Sequence, residues 1–370
     1  MTIRFWAAGL AVAAAVLAGP VGADAAASKR TKWDTRVLAL VPPPGFPARA
    51  YVAPDGRIYE GTYENPSGSP LPSRVLEYTG SGTLLRSWTV PGQDLSGEHG
   101  VQVATSDSRG RLVLLDANPA RALLLNTRTG RFRHYATFAD LAPCASGASG
   151  NCSPTSMDMP ATPDYAAWGP GGVLYVTDYL QGVVWRVPPG GGKAKVWLAD
   201  RKLDGGQFGT TGIVRVPGSR RLLVGQQSSA GGGDGNPATG KVYEVSIDGR
   251  GRPGALRQLW ESGPADGPDG FALARSGNVY IALAGSNQIA EVSPSGAELD
   301  RFPATPMTGE NGSPVPFDTP SSVMFRGRRL IVANQSFFTG NAANQAILDV
   351  YAGERGAREV IPPRAGRKPR

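Results

Sequence analysis

Short apolar runs of roughly five to seven residues, each closed by Gly, Pro, Asp or Ser, follow one another along this chain. No segment keeps a helical period between caps. The clearest unit starts at Pro268 and reads PDGFALARSGNVYIALAGSNQIAEVSPSGAELDRF. Its runs FALAR, NVYIALA, QIAEVS and ELDRFPA predict four consecutive strands, rich in the residue types that sheets favour. Related units begin near Phe46, Glu98, Pro163, Thr210 and Thr319. Their starts lie about 50 residues apart, the period of a propeller blade. The pattern therefore predicts an all-β fold, a six-bladed β-propeller of four-stranded antiparallel blades over residues 44–363. A segment at 28–43 precedes it and a basic tail at 364–370 follows. RVLAL (36–40) reads as an outer strand able to close the ring, and REVI (358–361) competes for the same place.

Turn lengths separate two faces. Connections between the first and second strands, and between most third and fourth strands, are short, as at Ser276-Gly277 and Ser295-Gly296. The long connections, at 64–73, 139–162, 227–240, 305–318 and 335–344, all fall on the opposite face. Insertions gathered on one face of a repeat array mark the binding face.

Composition adds a compartment. A positive residue, Arg4, precedes the apolar run 7–17 and then small residues, so 1–27 reads as an export signal. The run is too short to span a bilayer, and a secreted or periplasmic protein without a membrane anchor is expected. The two cysteines, Cys144 and Cys152, share a Gly/Ser loop and are expected to form a local disulfide. The net charge of +8 gathers partly at the two ends, without the aromatic-interleaved basic stripe of a nucleic-acid binder. A monomer acting on a small molecule, with no nucleic-acid partner, is the expectation.

The unit at Pro268, supported by PDYAAWGPGGVLYVTDYLQGVVWRV from Pro163, resembles blades of the senescence-marker-protein/gluconolactonase family of six-bladed propellers. The resemblance implies a divalent cation, commonly calcium, at the channel mouth, held by oxygen ligands and polarising a lactone or ester carbonyl. Carried over position by position, Asp269 matches the family's Asp, Asp164 stands where Asn is usual, and Thr211 stands where a second Asn is expected. The first-blade Glu falls near Pro47 and Ala48, where no carboxylate stands. Asp164, Asp269 and Thr211 are thus the candidate metal ligands, and Asp269 is also a candidate catalytic group.

His99, at the start of the second inner strand, is a candidate base, or a histidine hydrogen-bonded within its loop. Asp178, Gln226 and Asn334 end second strands on the long-loop face and are candidate substrate contacts, although such residues also satisfy turn amides. His134 lies on an outer strand and reads as surface structure. GGGDGN (231–236) lacks the residues of a phosphate or calcium loop, and no Gly-x-Ser-x-Gly elbow occurs. Three functions remain open: a metal-dependent hydrolase of lactones or esters, a non-catalytic propeller that binds a small molecule, glycan or protein, and a strictosidine-synthase-like enzyme.

Overall fold

The computed structural model describes residues 30–63, 70–145, 150–228 and 238–368. The expected export signal and the Gly-rich run at 231–236 lie outside the described residues. Six antiparallel sheets form six blades, so the fold read from the repeat is the fold observed. The inner strands are Pro47–Val52, Val101–Ser106, Pro163–Trp168, Thr210–Arg215, Pro268–Leu273 and Pro320–Arg326, numbered here as blades 1 to 6. Blade 2 gains a two-residue parallel strand, Gly192–Lys193, on its outer edge.

The runs are apolar throughout because each blade is buried on both faces. In blade 2, Leu112 and Leu114 pack toward blade 1, while Val113 and Leu115 pack toward blade 3. The strand period of two sends alternate side chains into two different interfaces. Each of the buried apolar clusters lies between one pair of neighbouring blades, and the last joins Ile331, Ala333 and Ile347 of blade 6 to Ala50, Ile58 and Leu76 of blade 1.

Ring closure uses the N-terminal strand. Thr35–Leu40 pairs antiparallel with Ala346–Tyr351 and supplies the outer strand of blade 6. With that edge filled, 358–361 has no strand partner. It belongs to a C-terminal strap across the short-turn face. The strap bonds blade 5 at Ala357 N to Leu273 O (2.8 Å) and reaches blade 2 at Ser108 N to Ala365 O (3.3 Å). Between these anchors Glu359 accepts from Thr105 Oγ1 (2.6 Å) and from Tyr51 Oη (3.0 Å).

Cys144 and Cys152 are disulfide-bonded, as expected, within the long connection before blade 3. Among the described residues no helix is long and apolar enough to cross a membrane.

Candidate functional site at the long-loop mouth

A cavity of about 990 Å³ opens at the long-loop end of the channel. The second residue of the inner strand lines it on five blades, as Ala48, Gln102, Asp164, Asp269 and Ser321, while Thr211 of blade 4 does not. Two carboxylates therefore stand on blades 3 and 5, as the motif comparison predicts, and both line the cavity. Burial pushes the Asp164 carboxyl well above the ordinary range, and the negative charge of Asp269 pushes it further. Burial likewise raises Asp269, to about 7, against the opposing pull of Tyr165, Arg49 and the Gly270 amide. Asp164 Oδ1 accepts from Gln102 Nε2. Asp164 Oδ2 and Gln102 Oε1 are buried and have no hydrogen-bond partner.

The floor is a single aromatic ring. Tyr165 crosses from blade 3 to blade 6, where its hydroxyl donates to Ser321 O (2.8 Å). The Arg49 guanidinium stacks on this ring at 4.8 Å from its centroid. Gly270 makes the crossing possible, since a Cβ there would sit 2.6 Å from the Tyr165 hydroxyl. The glycine of Pro-Asp-Gly is thus a packing requirement of the channel. Above the floor the walls are aromatic, with Tyr63, Tyr179, Phe208, Phe337 and Phe338. Phe208, from the loop before blade 4, meets Phe338 of blade 6 edge-on at 6.2 Å across the rim.

Other candidates sit elsewhere. Thr211 is not among the residues that line the cavity, and its hydroxyl donates to Pro268 O (3.3 Å) on the next blade. Position 48 is Ala, and Glu60, on the second strand of blade 1, is buried with both oxygens unpartnered. His99 is buried, its Nδ1 3.0 Å from Gly97 O and its Nε2 2.8 Å from Leu71 O. Its neighbour Glu98, not His99, lines the cavity.

Asp178, Gln226 and Asn334 end the second strands but lie behind the wall, fully buried. Asp178 accepts from the Thr162, Leu180 and Gln181 amides and from Trp185 Nε1 (2.7 Å). Gln226 donates to Asp204 O (2.8 Å), and Asn334 ties Pro316 O to Asn344 O. These side chains hold the long loops in place. His134 lies on an outer strand, against Thr137 Oγ1 (3.1 Å).

The position-by-position comparison missed Gln102, Arg49 and Tyr165. Gln102 has the same offset in its strand as Asp164 and Asp269, a signal present in the repeat. Arg49 was visible as a charge inside an inner strand.

No family model and no curated protein matches the chain by sequence. Among solved structures it is similar to a protein taken for a gluconolactonase, at 16% identity over 88% of this chain and 94% of that one, with a TM-score of 0.56. It is similar to a calcium-binding protein, regucalcin, from Agrobacterium tumefaciens, at 14% identity over 88% and 98% of the two chains and a TM-score of 0.54. It is also similar to a virginiamycin B lyase from Staphylococcus aureus with quinupristin, at 14% identity over 84% and 82% and a TM-score of 0.51. At such identities the likeness is one of fold. The resemblance read from the repeats is matched at that level, by a six-bladed propeller of the gluconolactonase and regucalcin kind.

Proposed function

We propose that this protein is an exported, monomeric hydrolase of small lactones or esters, with its centre at Asp164 and Asp269. The observation that carries the reading is the carboxyl pair of buried Asp164 and half-buried Asp269, with orphaned oxygens on Asp164 and Gln102, in an aromatic-walled cavity. Fold analogy raises the expectation of this chemistry but does not supply it.

Asp269, shifted to about 7, stands near its switching point at neutral pH. In the ionised state it takes a proton from a water attacking the carbonyl, and it returns that proton to the leaving oxygen. The products are an acid and an alcohol, joined in one hydroxy acid when the substrate is a lactone. Gln102 fixes Asp164, Tyr165 closes the floor against water from below, and the phenylalanines hold the apolar part of the substrate.

The donor set also fits a hard divalent cation such as calcium. Asp164 Oδ2 and Gln102 Oε1, buried acceptors that otherwise lack donors, would hold it together with the Asp269 carboxylate. Bound there, such an ion supplies Lewis-acid polarisation of the carbonyl. With Ala48, and with Thr211 outside the lining, this is an open site of three protein ligands rather than a cage. Among the described residues no group of three or more His, Cys, Asp or Glu forms a metal site.

The test is turnover of a lactone and ester panel, with and without chelator, by the wild type and by Asp269→Asn and Asp164→Asn. Each substitution should lower kcat/KM by about 100-fold or more. Unchanged activity in both variants would sink the proposal. A second reading, a binding propeller without catalysis, is favoured by Ala48 at the first-blade position. Saturable ligand binding in the cavity with no turnover on any substrate would establish it instead.

A further inference from the structure

The short-turn end of the channel holds a second cavity, of about 630 Å³, beneath the Arg49–Tyr165 floor. Its wall carries Arg49, Arg215, Arg275, Arg326, Arg355 and Arg358, against one carboxylate, Glu359. Both Glu359 oxygens already accept hydroxyl protons, from Thr105 and Tyr51. Arg215 spends two of its nitrogens on Ser219 O, and Arg326 spends one on Gly80 O. Among the described residues none of these arginines forms a salt bridge, whereas Arg86, Arg111, Arg121 and Arg329 elsewhere all do. Arg49 Nη1 is buried without a partner. Burial first, and then repulsion from Arg220 and Arg329, lowers the basicity of Arg215 and Arg326 respectively.

A concave wall that carries six guanidinium groups and one carboxylate is complementary to an anion, even with Arg49 facing Glu359. Guanidinium forks match the paired oxygens of phosphate and carboxylate. The volume suits a small organic ligand and exceeds that of a single simple ion. We propose that this cavity binds a small multivalent oxyanion of the phosphate or polycarboxylate class. Arg355 and Arg358 hold it from the strap, Arg49 from the inner strand of blade 1, and Arg275 from the turn after the inner strand of blade 5. The site is built by the C-terminal segment, so a chain cut before residue 353 lacks it. It shares no carboxylate with the mouth and stands whether or not the hydrolase reading does.

The test is calorimetric titration of the full chain with pyrophosphate, inorganic phosphate and citrate. Low, matched ionic strength limits screening, and chloride serves as the reference. One saturable site is expected for at least one polyanion. A preference for pyrophosphate assigns the phosphate class, and a preference for citrate assigns the polycarboxylate class. Arg355→Gln/Arg358→Gln, at exposed positions, should weaken binding about tenfold or more through loss of two charge-assisted bonds. Arg133→Gln, on an outer strand, should leave it unchanged. Arg275→Gln gives an independent reading if the double variant melts early. Absence of saturable binding to all three probes, binding unaltered in the arginine variants, or a response to long polyanions alone would overturn the proposal.

Discussion

Replacing Gly270 by Ala tests the channel floor. The new Cβ would lie 2.6 Å from the Tyr165 hydroxyl, 2.8 Å from Ser322 Cβ and 2.9 Å from Ser321 O. Carbon contacts are normally about 3.5–4.0 Å, so all three atoms must move. Two of them belong to the neighbouring inner strand and cannot swing away as a side-chain tip does. Overpacking of this kind costs about 1–3 kcal/mol. Loss of the Tyr165–Ser321 hydrogen bond adds about 1 kcal/mol. The sum, about 2–4 kcal/mol, should lower Tm by about 3–6 °C in a chain of this size. Gly249→Ala is the control, since its added Cβ meets nothing within 4 Å and should shift stability by less than about 0.5 kcal/mol. Tyr165→Phe alone should cost about 1 kcal/mol. Combined with Gly270→Ala it removes the closest contact, so the pair should be less harmful than the sum by about 1 kcal/mol. Thermal melts of wild type and the four variants decide the matter. A Gly270→Ala protein as stable as wild type, or strict additivity in the double variant, would refute the account of the floor.

The carboxyl pair sets a pH dependence. Both groups are raised in the fold, so the folded chain keeps protons that the unfolded chain releases near pH 3.9. Their contribution is fully present below that pH and is lost as pH rises through the folded value, about 7 for Asp269. Asp269→Asn should therefore match wild type below about pH 4 and exceed its stability by about 1–4 kcal/mol at pH 8, read by urea unfolding. A wild type that gains on the variant as pH rises would contradict this. Asp178→Asn leaves some of its four donors facing an amide, and should cost about 2–4 kcal/mol in the same assay while leaving KM for any substrate unchanged. An altered KM would return Asp178 to the binding surface. Cys144→Ser/Cys152→Ser opens a small loop and should cost at most about 2–3 kcal/mol. Equal melts with and without reductant, for a wild type shown to be oxidised, would mean that the staple contributes nothing.

The blades were legible because the three inner strands of each blade are buried on both faces, which writes the repeat as apolar runs between turn residues. Asp164 and Asp269 were legible because they open two well-preserved units. Thr211 stood at the right offset, but sequence does not carry χ1, and its hydroxyl found a carbonyl on the next blade. His99 misled because it lies in the loop before the strand, where its ring meets Gly97 O and Leu71 O, and Glu98 took the cavity side. The run at 358–361 has strand-like residues, yet strand formation needs a free edge, and Thr35–Leu40 had filled it. The arginine cavity was hidden because its members come from five separate segments and meet only when the ring closes.

That closure also puts the fold's assembly into an order in time. Blades 1 to 5 complete their four strands from consecutive segments and can pair as they are made. Blade 6 waits for Ala346–Tyr351 to meet Thr35–Leu40, an encounter between the last and the first described strand. Until then Ala50, Ile58 and Leu76 face water, and blade 1 offers an uncovered flank. A chain stopped short of residue 346 would be nearly all propeller and still adhesive. Its unsatisfied flank would advertise the missing end to any surface able to bind apolar residues.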